Sequence, residues 1–256
     1  MDIQNDTALL ALAVELAGRA AAEIMRIRTE GFTVLRKQDA SPVTAADQAA
    51  EALIVAGLRD ATPKIPVIAE EEVASGQATA VGSVFWLVDP LDGTREFAAG
   101  RDEFAVNVGL VRDRRVWLGA VALPACDEIY LGIVGTGAWR QNAGGEKKPI
   151  SARTPPSSGL DVMASRHYAT DPRLAAYLQG RQVASLTNIG SAMKFCRLAE
   201  GKADLYPRLG RTMEWDTAAP QAVLEAAGGS VRTLEGTPLE YGKPGWENPP
   251  FICSGK

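Results

Sequence analysis

The sequence contains little cysteine and almost no histidine. Its 256 residues include three cysteines, Cys126, Cys196 and Cys253, and one histidine, His167. Because the cysteines are few, odd in number and far apart, we expect no disulfide framework and favour a reducing compartment. The lack of a Cys-x-x-Cys pair argues against a zinc–thiolate site. A single histidine also excludes metal centres that are built from several histidines.

A surplus of positive charge is missing as well. The formal net charge is −4, so we do not expect polymeric nucleic acid as a partner. A small phosphorylated ligand remains compatible with this charge, because a metal site can neutralise it locally. The content of 46% hydrophobic and 23% charged residues is typical of a globular protein.

The chain also has no long uncharged apolar run. Residues 9–25 are rich in Ala and Leu, but charged residues such as Glu15 and Arg19 interrupt them. This pattern predicts an amphipathic helix, capped by Asp6 and Thr7, rather than a signal peptide or a transmembrane segment. We therefore expect a cytoplasmic protein, and peripheral contact with the cytoplasmic face of the inner membrane stays open.

Secondary-structure patterns differ between the two halves of the chain. Two helices, 6–28 and 44–60, precede a series of strands, and strands and helices alternate after residue 150. Alternation of this kind predicts an α/β layer structure. We predict an N-terminal α+β domain over 1–150, with an antiparallel sheet, and a C-terminal α/β domain over 151–256. The predicted strands are 67–69, 84–88, 104–111, 116–123, 129–133, 137–140, 161–164, 183–186, 203–206 and 230–233. The later predicted helices are 172–179, 191–200 and 214–227.

The strongest chemical signal is the segment Asp89-Pro-Leu-Asp-Gly-Thr94. A buried strand ends there, and Asp89 and Asp92 follow, together with the Leu91 carbonyl. Such oxygens suit hard divalent cations. A short helix is predicted from Thr94, and a helix N-terminus offers N–H groups to a phosphate. A surface turn is the structural alternative for this segment taken alone.

Two more acidic residues strengthen the prediction of a metal site. Glu70 follows the strand 67–69, and Asp216 lies at the start of the helix 214–227. A solvated loop and a favourable helix-dipole charge, respectively, are their structural alternatives. Together with Asp89 and Asp92, they could form an oxygen-rich site for two or more Mg²⁺ ions.

Four segments, in this order, resemble the lithium-sensitive, metal-dependent phosphomonoesterases of the inositol monophosphatase superfamily. They are Ser41-Pro-Val-Thr-Ala-Ala-Asp47, Glu70-Glu71, Trp86-Leu-Val-Asp-Pro-Leu-Asp-Gly-Thr94 and Trp215-Asp-Thr-Ala-Ala219. The resemblance implies a layered αβαβα sandwich of the sugar-phosphatase type and two or three Mg²⁺ ions per site. The implied metal ligands are Glu70, Asp89, the Leu91 carbonyl, Asp92 and Asp216. The implied catalytic residues are Asp47, Thr94 and Glu70, with Asp47 and Thr94 paired beside the attacking water.

Within that superfamily, the segments are most similar to the bacterial 3'(2'),5'-bisphosphate nucleotidases. Three segments carry this similarity: Thr94-Arg-Glu-Phe97, Gly190-Ser-Ala-Met-Lys-Phe195 and Tyr206-Pro-Arg-Leu-Gly210. The resemblance implies that Ser191, Lys194 and Arg208 contact the 5'-phosphate of a nucleotide, and their donors suit an anion. Ordinary solvated charges are the alternative for Lys194 and Arg208. The substrate contacts implied near the reacting phosphate are Leu91, Asp92, Gly93, Thr94 and Asp216.

The sequence departs from the nucleotidase pattern at three places. Those enzymes often have Ser-Arg-Ser-His near the adenosine, whereas this chain has Ser165-Arg-His-Tyr168, with the histidine one position early. Ser165 and His167 are the candidate adenosine contacts, with stacking by Tyr168 or a structural role for His167 as alternatives. Arg211 stands where a proline is usual, and Pro220 where a glycine is usual.

The expected activity is hydrolysis of the 3'-phosphate of adenosine 3',5'-bisphosphate to AMP and phosphate, with 3'-phosphoadenylyl sulfate as a second substrate. An inositol or fructose phosphatase with the same acidic residues is one alternative, and a non-catalytic nucleotide-binding regulator is another. The expected assembly is a monomer or a homodimer. Lithium sensitivity and a place in sulfur metabolism follow from the resemblance alone.

Overall fold

The computed structural model describes residues 3–36, 42–77, 80–142 and 144–256. Ser41, which belongs to the first family-like segment, lies outside these ranges. The helices are α1 (Ile3–Glu30), α2 (Ala45–Ala61), α3 (Glu70–Ala74), α4 (Thr94–Ala98), α5 (Pro172–Leu178), α6 (Met193–Ala199) and α7 (Glu214–Ala226). The strands are β1 (Val34–Arg36), β2 (Pro42–Thr44), β3 (Val67–Ala69), β4 (Val84–Asp92), β5 (Ala105–Arg112), β6 (Arg115–Leu123), β7 (Glu128–Ile133), β8 (Gly137–Gln141), β9 (Lys148–Ile150), β10 (Leu160–Ser165), β11 (Val183–Ile189), β12 (Leu205–Arg208), β13 (Ser230–Thr233) and β14 (Phe251–Ser254).

The strands form two large sheets and a small ribbon. The seven-stranded sheet has the order β3-β4-β5-β6-β7-β8-β9, and the five-stranded sheet has the order β11-β10-β12-β14-β13. Neighbours in the larger sheet are antiparallel except β3 and β4, which are parallel. In the smaller sheet, β10 is parallel to β11 and β12, and β14 is antiparallel to β12 and β13.

Helices α1 and α2 cover one face of the seven-stranded sheet. Val106, Val108 and Leu110 of β5 belong to the same buried cluster as Ala17 of α1 and Ile54 of α2. They share that face because alternate side chains of a strand point the same way. Burial of each large aliphatic side chain contributes about 1.5–3 kcal/mol. This packing confirms the amphipathic character predicted for α1.

Helices α6 and α7 lie between the two sheets. A Cβ atom at Gly119 of β6 would lie 2.4 Å from the Ala219 carbonyl oxygen, so glycine is needed there for α7 to approach the sheet. The resulting cluster joins Phe195 of α6 to Tyr206 of β12 and Phe251 of β14. The order of layers is helix pair, sheet, helix pair, sheet, which confirms the predicted layered α/β sandwich.

Several details of the predicted elements were wrong. The strand predicted over 84–88 continues as β4 to Asp92, so Asp89 lies within it. Helix α1 begins at Ile3, so Asp6 and Thr7 lie inside it rather than at its cap, and the buried Asp6 carboxylate accepts a hydrogen bond from Arg112 at 2.8 Å. Helix α6 does not include Ser191, whose φ of 50° is left-handed and cannot continue a helix. Strand β12 starts two residues later than the predicted strand 203–206.

The change from one sheet to the other falls between Ile150 of β9 and Leu160 of β10. The predicted division into domains near residue 150 remains a proposal, because α7 of the second half packs directly on the first sheet. Among the helices of the described ranges, none combines the length and the apolar character needed to cross a membrane.

Candidate active site

The site starts at a bulge where β4 ends. Asp89 pairs with Asn107 of β5, whereas Asp92 pairs with Ala105, so β4 advances three residues while β5 retreats two. The extra residue bends the strand. Asp89 Oδ1 accepts a hydrogen bond from the Leu91 amide at 3.0 Å, which fixes the carboxylate at the bend. Gly93, with a φ of 95°, then turns the chain into α4.

Three carboxylates from separate elements converge at this bend. Oxygen atoms of Glu70, Asp89 and Asp216 lie within 4.8 Å of one another. Glu70 is the first residue of α3, and Asp216 lies in the first turn of α7, where its Oδ2 accepts the Met213 amide at 2.8 Å. Asp92 and two of these acids, Glu70 and Asp216, line one cavity, but Asp92 Oδ2 accepts a hydrogen bond from the Ala192 amide at 2.5 Å.

The convergence is electrostatically unfavourable without a cation. Burial, together with the nearby Asp92 and Glu70 carboxylates, raises the pKa of Asp216 to about 8. Burial also raises the pKa of Asp92 to about 6, although the Lys194 charge opposes this rise. A divalent cation would relieve the repulsion between these acids.

The donor atoms fit a hard cation such as Mg²⁺. The three clustered groups are carboxylates, and the Leu91 carbonyl oxygen faces the same turn, 3.0 Å from Thr94 Oγ1. Asn107, directly opposite Asp89 in the sheet, has a buried amide with no hydrogen-bond partner among the described residues. An unsatisfied buried amide beside the acids is consistent with a site that a bound ion and its waters complete.

Thr94 and Asp47 form a pair at the edge of the acidic cluster. Thr94 Oγ1 lies 3.0 Å from Asp47 Oδ1. Asp47 is itself fixed, because its Oδ2 accepts the amide and the hydroxyl of Thr44, each at 2.7 Å, in the capping box that begins α2. Burial raises the pKa of Asp47. A Thr94 hydroxyl that donates to Asp47 keeps its lone pairs available to accept a proton from water.

A cavity of about 310 Å³ extends from the acidic cluster toward α6. Its lining also carries the cationic side chains of Lys194 and Arg208. We call these two residues the basic wall of the cavity, and the acidic cluster with Asp92 its acidic wall. Its lining includes Glu70, Asp92, Gly93, Thr94, Ser165, His167, Tyr168, Ser191, Lys194, Arg208 and Asp216.

Lys194 is buried rather than solvated. Its Nζ atom donates to the carbonyl oxygens of Ile189 at 3.2 Å and Ser191 at 2.6 Å. Burial, assisted by the Arg208 charge, lowers the pKa of Lys194 to about 8. A buried ammonium with few partners gains much from an anionic ligand.

Arg208 is oriented by neighbours on both sides. Its guanidinium carbon lies 4.8 Å from the centre of the Tyr168 ring, and one terminal nitrogen donates to the Arg211 carbonyl at 2.7 Å. Its buried Nε has no hydrogen-bond partner among the described residues. The guanidinium therefore has a donor left for a ligand anion.

The segment 165–168 forms a further part of the cavity wall. Ser165 is buried, and His167 Nε2 lies 3.2 Å from Glu96 Oε1. The Tyr168 ring occupies the space that a side chain at position 210 would need, since a Cβ atom at Gly210 would lie 2.3 Å from it. All three residues reach the cavity, and their contacts with a nucleotide remain a prediction.

Sequence reasoning missed Glu96, Glu103 and Arg166. Glu103 accepts the Gly190 amide at 2.8 Å and pairs with Arg166, partners that are 87 and 63 residues away. No local pattern marks contacts of that range. Only the position of Glu96, directly after Thr94-Arg95 in a family-like segment, was a usable signal.

Solved structures share this architecture. The crystal structure of CysQ from Bacteroides thetaiotaomicron superposes with a TM-score of 0.80 at 32% identity, covering 97% of each chain. An inositol monophosphatase from Anabaena (Nostoc) superposes with a TM-score of 0.77 at 25% identity, covering 98% of this chain and 91% of that one. The fold and the acidic cavity thus define a layered α/β protein of the same class.

Sequence comparisons identify the family. The model for the inositol monophosphatase family matches residues 5–250. The 3'(2'),5'-bisphosphate nucleotidase CysQ of Escherichia coli strain K12 is 43% identical over 231 residues, which cover 89% of this chain and 91% of that protein. The protein of the same name from Aggregatibacter actinomycetemcomitans is 31% identical and covers 96% of this chain and 92% of its own. The chain belongs to the inositol monophosphatase family, as the four segments predicted.

Proposed function

We propose that the protein hydrolyses the 3'-phosphate of adenosine 3',5'-bisphosphate to AMP and phosphate, with 3'-phosphoadenylyl sulfate as a second substrate. The observation that carries this proposal is that one cavity is lined both by acidic residues of the cluster and by Lys194 and Arg208. A substrate with one phosphate at each wall would satisfy both. The relatives named 3'(2'),5'-bisphosphate nucleotidase support the same choice.

The acidic wall would hold the metal. In our proposal the carboxylates of Glu70, Asp89, Asp92 and Asp216, with the Leu91 carbonyl, hold two or three Mg²⁺ ions. When bound, Mg²⁺ lowers the pKa of water and neutralises charge on the phosphoryl group. Asp92 would release or share its hydrogen bond from Ala192 to take part, whereas the three clustered carboxylates already lie together.

The chain's own residues would then position the attacking water and the phosphate. Thr94 Oγ1 takes a proton from the attacking water as the hydroxyl proton of Thr94 passes to the Asp47 carboxylate, 3.0 Å away. Glu70 lies beside this pair and completes the catalytic group. The amides of Gly93 and Thr94, at the start of α4, hold the phosphate oxygens. No covalent phosphoenzyme is needed.

The remaining cavity residues would hold the rest of the nucleotide. Ser191, Lys194 and Arg208 bind the 5'-phosphate, for which a hydroxyl, an ammonium and a forked guanidinium are suitable donors. Ser165 and His167 lie beside the adenosine, with stacking on Tyr168 as the alternative. This arrangement gives the reacting phosphate and the second phosphate separate sets of binding groups.

A comparison of substrates tests the proposed function. We expect kcat/KM with Mg²⁺ to be at least about tenfold higher for adenosine 3',5'-bisphosphate than for inositol 1-phosphate, which lacks a second phosphate, or fructose 1,6-bisphosphate, which lacks the adenosine. A higher value for either sugar phosphate would favour a sugar phosphatase instead. Nucleotide binding in titration calorimetry without turnover would favour a non-catalytic regulator.

The Thr94 hydroxyl offers a matched pair of variants. Thr94→Val keeps the shape but removes the proton acceptor, so kcat should fall about 10²-fold or more, while Thr94→Ser should retain most of it. Steady-state kinetics at saturating Mg²⁺ measures both. Equal activity of the valine and serine variants would remove Thr94 from the mechanism.

Location and assembly remain part of the proposal. The free thiols of Cys126, Cys196 and Cys253, two of them buried, support a reducing compartment such as the cytoplasm. The proposed assembly is a monomer or a homodimer.

A further inference from the structure

Glu103 lies between the two anion-binding parts of the cavity. A Cβ atom at Gly93 would lie 2.8 Å from the Glu103 carbonyl oxygen, and one at Gly190 would lie 2.9 Å from the same oxygen. Distances this short mean that both glycines pack directly on the Glu103 backbone. Gly93 and Thr94 supply the amides proposed to hold the reacting phosphate, and we call them the cradle. Gly190, Ser191 and Ala192 form the loop proposed to bind the second phosphate. Glu103 is therefore the junction between the two loops.

The Glu103 side chain connects a third segment to this junction. Its Oε2 accepts the Gly190 amide at 2.8 Å and Arg166 Nε at 3.2 Å, and its Oε1 accepts a second nitrogen of Arg166. Arg166 begins the 3-10 turn that brings His167 and Tyr168 to the cavity. The Glu103 carboxylate thus fixes the position of Gly190 relative to the turn that begins at Arg166.

The loop of the second phosphate depends on such external contacts. Ser191 has a left-handed φ of 50°, a conformation that non-glycine residues keep only when their surroundings hold it. Gly190 is held by Glu103 on one side, and Ala192 donates to Asp92 at 2.5 Å on the other. The position of Ser191 is therefore set by the carboxylates of Glu103 and Asp92, which hold the residues before and after it.

We propose that Glu103 is a specificity-determining positioning residue. It sets the distance between the cradle at Gly93 and the loop at Gly190, and so selects substrates with two phosphates at a fixed separation over monophosphates. Glu103 does not touch the reacting atoms and acts through the loop and through Arg166. This inference rests on the proposed bisphosphate nucleotidase function and adds the residue that defines its selectivity.

The test compares adenosine 3',5'-bisphosphate with adenosine 3'-monophosphate, which has the same reacting phosphate and lacks the second. Glu103→Ala should lower the ratio of the two kcat/KM values at least about tenfold, because charge-assisted bonds to two segments are lost. Arg166→Met keeps the Gly190 bond and should lower the ratio about threefold to tenfold. Turnover of the monophosphate should stay within about threefold in both variants.

A neighbouring ion pair supplies the control. Asp102 pairs with Arg28 at 2.8 Å and is exposed, so Asp102→Asn should leave the ratio unchanged. Glu103→Gln, which keeps the size of the side chain, replaces Glu103→Ala if thermal unfolding shows that the alanine variant does not fold. Because Gln can still accept a hydrogen bond from the Gly190 amide, we expect Glu103→Gln to lower the ratio by roughly threefold to tenfold, as for Arg166→Met.

The outcomes separate the two proposals. The wild type could prefer the bisphosphate while the variants keep this preference or lose both activities equally. That result would overturn the role of Glu103 and leave the proposed function standing. A wild type with equal kcat/KM on both nucleotides would overturn the bisphosphate selectivity itself, and the role of Glu103 with it. A lower ratio of the two kcat/KM values in the Glu103 and Arg166 variants, with the ratio of Asp102→Asn unchanged, would support the inference.

Discussion

Replacement of Asp92 by asparagine is expected to reduce turnover at least about a thousandfold while the protein remains folded. The amide removes a negative charge that, in our proposal, helps to hold Mg²⁺ against the phosphate. The fold should persist because the asparagine oxygen can still accept the Ala192 amide, the bond that Asp92 makes at 2.5 Å. Steady-state kinetics with a Mg²⁺ titration measures the effect.

A further prediction for Asp92→Asn concerns its melting temperature. The folded protein raises the pKa of Asp92 to about 6, so above that pH the ionised carboxylate opposes folding when no cation is present. In metal-free buffer at neutral pH, Asp92→Asn should therefore melt at the wild-type temperature or above. Added Mg²⁺ should raise the melting temperature of the wild type more than that of the variant.

The exposed Asp60 on α2 provides the matched control, since Asp60→Asn makes the same chemical change away from the cavity. It should leave turnover and the Mg²⁺ dependence unchanged. Wild-type turnover of Asp92→Asn at saturating Mg²⁺ would contradict the metal role assigned to Asp92.

The second large effect is expected at the basic wall. Arg208→Ala should raise KM for adenosine 3',5'-bisphosphate about 10²-fold, because the 5'-phosphate loses a charge-assisted contact with the guanidinium. Lys194→Met, which keeps the length of the buried side chain, should have a similar effect. KM for inositol 1-phosphate should change much less in both variants.

Arg181 is a close control for Arg208. It also lies over a tyrosine ring, with its guanidinium carbon 4.5 Å from the centre of Tyr177, but it is exposed and outside the cavity. Arg181→Ala should leave both KM values unchanged. Equal increases of KM for the nucleotide and for inositol phosphate in Arg208→Ala would argue against a pocket for the second phosphate.

Much of the fold could be predicted because its signals are local. The Thr44 to Asp47 capping box begins α2 as predicted, and the hairpin of β5 and β6 follows from two apolar runs and a polar turn. Strand β14 lacks such a signal, since it is four residues long and follows Pro249-Pro250. Its place between β12 and β13 is decided by tertiary pairing.

In the candidate site as well, residues marked by their own segment could be predicted, whereas contacts between distant segments could not. The bend at Asp89 and the turn at Gly93 follow from their own segment, and family-like motifs identified Glu70 and Asp216 as partners. The burial of Lys194 was not visible in the sequence, because it depends on packing between α6 and the five-stranded sheet. The contacts of Glu103 were not visible either, for the same reason.

In our proposal, acids from α3, β4 and α7 hold divalent cations beside the start of α4. Anomalous diffraction from crystals soaked with Mn²⁺ tests this arrangement, because Mn²⁺ replaces Mg²⁺ at oxygen sites and can be located by its own signal. We expect at least one anomalous peak roughly 2.0–2.6 Å from carboxylate oxygens of Glu70, Asp89 and Asp216. Well-diffracting soaked crystals with no peak among these three carboxylates would contradict it.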